Sequence, residues 1–151
     1  MHYSLNYLHL DFKMPVNSRN KGAAFERYIV NKINDYFESN NIDKRVKRNL
    51  DQYQEKGQAD IYLDNIAIEC KRYKAGSNMP RNNWWTQTLE AAGDKYIPIL
   101  IWKYDRQRIQ CIVPAWLMSD VPRSNKITLM CPLTDLCENI DEVLQKANGC
   151  K

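Results

Sequence analysis

Histidine is scarce in this chain of 151 residues: there are two, His2 and His9, both near the start. Serine–histidine hydrolysis, histidine-based zinc sites and histidine–metal nucleases all need an imidazole in the body of the fold, so these chemistries are excluded there. The five cysteines (Cys70, Cys111, Cys131, Cys137 and Cys150) are an odd set with no CxxC pair. That argues against a disulfide framework or a zinc ribbon and for reduced thiols serving as small apolar fillers. No apolar run approaches the ~20 residues of a membrane span, and the mean hydropathy is −0.64. The opening MHYSLNYLHLDFK has neither a basic stretch nor a sustained apolar one, so a cytoplasmic, non-secreted protein without a membrane partner is expected. Catalysis, if present, falls to carboxylates, lysine or a thiol.

What is present is ordinary globular chemistry. Hydrophobic residues make up 44% and charged residues 26%, enough for one packed domain without staples. Residues 1–16 read as a flexible arm, with Met14 as good a start as Met1. The net charge of +4 is uneven: Lys44-Arg45-Val46-Lys47-Arg48 and Lys71-Arg72-Tyr73-Lys74 concentrate cations in two short runs. Clustered cations near aromatics suit a polyanion such as nucleic acid, or simply form a solvated basic surface.

Asn17–Asn20 offers polar N-cap candidates, and Phe25, Ile29, Ile33 and Phe37 then step at helical spacing as far as about Ser39. Two alternating segments, Asp60–Leu63 and Ile66–Lys71, flank the two-residue turn Asp64-Asn65. A helix over Asn82–Ala92 closed by Gly93, strands over Ile97–Lys103 and Arg108–Val113, and a short helix at Pro114–Met118 follow. A strand at Ile127–Met130 and an amphipathic helix over Thr134–Ala147 complete the chain, so the order predicts an α/β or α+β domain. Trp84 and Trp85, adjacent on a helix, cannot share one face. Core or interface packing suits both, with base stacking the alternative.

The hairpin carries the candidate chemistry. If Asp64-Asn65 is the loop, Ile61, Leu63, Ile66 and Ile68 share the core face, while Asp60 opposes Glu69 with Lys71 two residues on. Opposed residues hold their Cβ atoms about 4.5–5.5 Å apart, so two carboxylates there repel unless a cation separates them. Hard carboxylate oxygens are what Mg²⁺ prefers, and Lys71 would stand where negative charge develops. The bland reading is a solvated face with a Glu–Lys pair. Glu26 shares a helical row with Val30, Ile33 and Phe37, and an inward carboxylate needs a metal or a partner. The alternative is a glutamate at the border of the stripe, reaching solvent or a cation.

Lys21-Gly-Ala-Ala-Phe-Glu26-Arg, then Asp60-x8-Glu69-Cys70-Lys71, Trp84-Trp85-Thr-Gln87 and Ile99-Leu-Ile-Trp-Lys103 resemble the PD-(D/E)xK nuclease superfamily. Within it they are most similar, from Ser18 to Met118, to the archaeal-type Holliday junction resolvases and their viral relatives. The resemblance implies an α/β, restriction-endonuclease-like core over residues 17–118 (helix, three-stranded meander, helix, further strands); residues 119–151, beyond its reach, are expected as a C-terminal helical extension packed on that core. It implies Glu26, Asp60 and Glu69 as the acidic metal site with the Cys70 carbonyl, Lys71 as catalytic lysine, and Gln87 as a helix residue reaching the site. Lys21, Arg48, Arg72, Lys74 and Lys103 become backbone contacts, joining Lys44, Arg45 and Lys47 of the basic run. The implied activity is Mg²⁺-dependent resolution of branched double-stranded DNA in recombination or repair, with Mn²⁺ able to substitute. A homodimer and the host or viral DNA compartment are implied with it. The alternatives are a nicking or restriction-like endonuclease of the same superfamily, or a non-catalytic DNA-binding module. The chain departs from the family in having Ala59-Asp60 where Pro-Asp is usual, and in extending beyond residue 118.

Overall fold

A computed structural model describes the backbone of residues 2–53 and 57–149 and the side chains of residues 20–51 and 57–149. Helix α1 (His2–Ser39) is one element and begins before the Lys21 expected from the sequence. Polar cap-type residues such as Asn17–Asn20 permit a helix to start without imposing it. The side chains of the expected arm, residues 1–16, and Cys150 lie outside the described residues. The inward row of α1 is as predicted: Phe25, Ile29, Ile33 and Phe37 are buried. The helix ends where Asn41 adopts φ 54° and the Ile42 N–H returns to the Phe37 carbonyl at 2.8 Å. Asparagine tolerates that left-handed position better than most residues.

Six strands form one sheet in the order β1 (Lys47–Arg48), β2 (Ile61–Leu63), β3 (Ile66–Tyr73), β4 (Ile97–Tyr104), β5 (Gln110–Pro114) and β6 (Thr128–Pro132). All neighbours are antiparallel except β3 and β4, which run parallel. A parallel pair needs a crossover, and α2 (Trp84–Ala92) supplies it. Gly93, at φ 58°, closes that helix with its N–H on the Leu89 carbonyl. The α/β class and the three-stranded meander β1–β2–β3 stand as the sequence led one to expect, with the first strand lying inside the basic run.

Alternation along the strands separates two faces. Ile61, Leu63, Ile66, Ile68, Ile97, Ile99 and Ile101 pack under α1 in the main core. Trp84 of α2 packs with Leu100, Trp102 and Tyr104 on the other face, and Ala59, Ala67 and Ala92 form a smaller cluster. The predicted helix over Thr134–Ala147 is two helices, α3 (Leu133–Glu138) and α4 (Ile140–Gly149). Asn139 between them bonds the Asp135 carbonyl through its own side chain at 2.8 Å, a local competitor to the helical ladder. Leu133, Leu136, Ile140, Val143 and Leu144 enter the main core, so the C-terminal segment completes the same layer as α1. Among the described residues no helix is long and apolar enough to cross a membrane.

Candidate active site

The hairpin register is Leu63↔Ile66, Tyr62↔Ala67 and Ile61↔Ile68, which carried one step further sets Asp60 opposite Glu69. Local bonds hold Asp60 at the mouth of β2. The Asn49 N–H donates to the Asp60 carbonyl at 2.7 Å, and Asn49 Nδ2 donates to Gln58 Oε1 and the Ala59 carbonyl, each at 2.9 Å. Across the pair, the Cys70 N–H donates to Asp60 Oδ2 at 2.7 Å. Asn34, buried within α1, clamps the basic run: Nδ2 donates to the Val46 carbonyl at 3.0 Å and Oδ1 accepts from its N–H at 2.8 Å. Asn34 and Asn49 escaped the sequence reading. The available signal was a polar residue beside the apolar row of α1, which periodicity alone does not interpret.

Burial first, and then the facing Glu69 carboxylate, push Asp60 up from an ordinary 3.8 to about 8. Burial also raises Glu69, with the Lys71 ammonium acting in the opposite direction. The two carboxyl groups are within hydrogen-bonding reach, so the site as it stands retains a proton at neutral pH. Two desolvated, opposed oxygen donors fit a hard divalent cation of the Mg²⁺ class, which proteins commonly bind through one or two carboxylates together with water and phosphate oxygens. Among the described residues, no group of three or more His, Cys, Asp or Glu side chains gathers closely enough to hold a metal. Asp60 and Glu69, set face to face by the hairpin register, are the two donors that fit. Burial and the nearby Asp60 carboxylate push the Cys70 thiol well up, which leaves its side chain neutral.

Glu26 points inward, 7% exposed, and pairs with Arg48 of β1, whose Nη2 stands 3.3 Å from Oε1. The inward carboxylate and the cation partner, weighed as alternatives from the sequence, thus occur together. Its charge still reaches the hairpin, raising both Asp60 and Glu69. Glu26→Gln is expected to keep the fold, because the amide is isosteric and costs less to bury than an ion. It should lower cleavage at least about tenfold, the scale seen when a partner of a metal site is lost. Turnover equal to wild type, with a lowered melting temperature, would leave Glu26 a purely structural partner of Arg48.

Lys71 lies on the Glu69 side of β3. Its Nζ donates to Gln87 Oε1 of α2 at 2.8 Å and stands 3.8 Å from Glu69 Oε2. The structure thus brings Asp60, Glu69, Lys71 and Gln87 together, with Glu26 and Arg48 adjoining.

Other sequence candidates fall elsewhere. Lys21 and Arg72 both pair with Asp105, Lys21 at 2.9 Å, and these bonds hold the Asp105 carboxyl below its usual range. This cluster ties α1 to the ends of β3 and β4. Lys103 lines a separate cavity of about 640 Å³ with Tyr28, Lys32, Arg108 and Glu138, away from Lys71. Lys44 is paired with Asp64 at 2.8 Å. Lys74 is exposed, and Arg45 and Lys47 lie exposed on the basic run.

A mixed sheet with α1 on one face, a carboxylate pair on a hairpin and a lysine held by a crossover helix define a nuclease of the PD-(D/E)xK superfamily. The family model described as "Phage putative PDDEXK endonuclease" matches residues 17–142, and the chain belongs to that family. The match runs past Met118 and so takes in β6 and α3, where the resolvase resemblance ended. No curated protein and no solved structure matches the chain.

Proposed function

We propose that this nuclease is a divalent-metal-dependent, structure-selective endodeoxyribonuclease that resolves four-way (Holliday) junctions as a homodimer, in DNA recombination or repair. The observation that carries the reading is the half-buried, opposed Asp60–Glu69 pair beside the Lys71–Gln87 hydrogen bond. Mg²⁺, with Mn²⁺ able to substitute, suits this donor set. Asp60 and Glu69 would hold it, with the Cys70 carbonyl as a further oxygen. When bound, the ion supplies Lewis acidity and makes water a better nucleophile.

The reaction is hydrolysis: a water oxygen bonds to phosphorus as the bond to the leaving strand oxygen breaks, and that oxygen takes up a proton. Gln87 fixes the Lys71 ammonium so that Nζ presents positive charge where the phosphate becomes more negative. Glu69, 3.8 Å away, keeps that ammonium oriented toward the carboxylate pair. The preference for junctions is supported by the order of the four motifs shared with the resolvases. A symmetric dimer follows from the need for two cuts by a chain that holds one site.

Parallel digestion of a four-way junction, a flap and a linear duplex with Mg²⁺ tests the substrate. Paired, symmetric incisions in the junction are expected, with the linear duplex cut at least about tenfold more slowly. The matched family, described as an endonuclease with no stated substrate shape, favours a second reading as a nicking or restriction-like enzyme. Equal or faster cutting of the linear duplex would establish it.

A further inference from the structure

The concavity between α1 and β1 has a charge pattern that the carboxylate site does not explain. It encloses about 390 Å³ and is lined by Arg27, Asn31, Arg45, Lys47, Arg48 and Leu50 among others, with no acidic side chain among its described lining residues. Arg27 and Asn31 stand one helical turn apart on the same face of α1. Arg45 and Lys47 flank buried Val46, so alternation sends both outward while the Asn34 clamp holds the backbone between them. Arg27, Arg45 and Lys47 form no ion pair among the described residues, whereas Lys44, from the same run, is tied to Asp64.

Like charges gathered around a concave surface repel, and a polyanion relieves that repulsion. Arg48 joins the cleft to Glu26, whose charge reaches Asp60 and Glu69, so the cleft adjoins the carboxylate site. Leu50, 63% exposed at the rim, adds an apolar contact of the kind a deoxyribose offers. We propose that this cleft is a phosphate-binding subsite: Arg27, Arg45 and Lys47, with Asn31 as a neutral hydrogen-bonding partner, hold a DNA backbone phosphate other than the one cleaved. The proposal rests on the reading of the chain as a DNA nuclease and adds Arg27 and Asn31 to the residues that position substrate.

A basic rim beside the short edge strand β1 could instead guard that edge against pairing with another chain. The test is equilibrium binding in EDTA, without cleavage, of a fluorescein-labelled four-way junction and a linear duplex across a series of KCl concentrations. The combined Arg27→Gln and Arg45→Gln variant should weaken binding of both about tenfold and flatten log K against log[salt] by roughly one unit per lost contact. Lys126→Gln, an equal change per residue at an exposed lysine outside the cleft, should stay within about twofold. Arg27→Lys with Arg45→Lys should restore most of the slope, which a folding defect of the glutamine variant would not predict. Wild-type binding by the glutamine variant overturns the proposal. So does an equal loss in Lys126→Gln, or self-association in light scattering with unchanged DNA affinity. Because the readout is binding, cleavage that survives Asp60→Asn refutes the assigned catalytic site and leaves the cleft standing.

Discussion

Asp60→Asn is expected to abolish cleavage in Mg²⁺, by at least about a hundredfold, while junction affinity stays within a few-fold. Loss of a supporting partner at a metal site already costs 10–100-fold as a rule, and Asp60 is one of the two donors themselves. Glu69→Gln should behave alike. The same substitution has an opposite signature in stability. With no metal bound, Asp60 keeps its proton to about pH 8 in the fold, against an ordinary 3.8 in the unfolded chain. Between those values the native state binds more protons than the unfolded state. The contribution is therefore fully present below the ordinary carboxylate range and is lost as pH rises through about 8. In EDTA, wild type should accordingly lose melting temperature from about pH 5 to about pH 9, and Asp60→Asn should lose less. Thermal melts at both pH values check this. Equal slopes, or near-wild-type turnover in Mg²⁺, would remove Asp60 from the site.

Lys71→Met is expected to lower turnover by about 10²–10³, the effect of deleting one preorganised group that stabilises developing charge. Methionine keeps much of the stem's volume, so the fold should persist. The substitution also removes the ammonium that opposes the rise in Glu69 and leaves Gln87 without its donor. Single-turnover cleavage on saturating junction isolates the chemical step, and a loss confined to binding would recast Lys71 as a backbone contact.

The hairpin is legible in the sequence for a local reason. Period-two alternation and a two-residue turn leave one register that buries Ile61, Leu63, Ile66 and Ile68 together, and the structure adopts it. Glu26 is half legible. Its place in an apolar row marks an inward carboxylate, but Arg48, its partner from 22 residues along the chain, carries no such mark. The basic run reads as one charged stretch and divides in three dimensions: Lys44 goes to Asp64, Arg48 to Glu26, and Arg45 and Lys47 to the cleft. Lys103, expected as a backbone contact from its own motif, opens on a cavity away from Lys71, because odd and even positions of β4 face opposite layers.

Sequence alone determined which residues face inward, the α/β order, the opposition of Asp60 and Glu69, and the superfamily those motifs resemble. Each of these follows from patterns within a few residues, where helical and strand periods dictate which side chains share a face. Tertiary structure alone decided which carboxylate meets which cation, that Gln87 reaches Lys71 from the crossover helix, and that residues beyond Met118 complete the sheet and core. Those outcomes depend on how α1 and α2 lie across the strands. That arrangement follows from the packing of the whole core, and no short stretch of sequence specifies it.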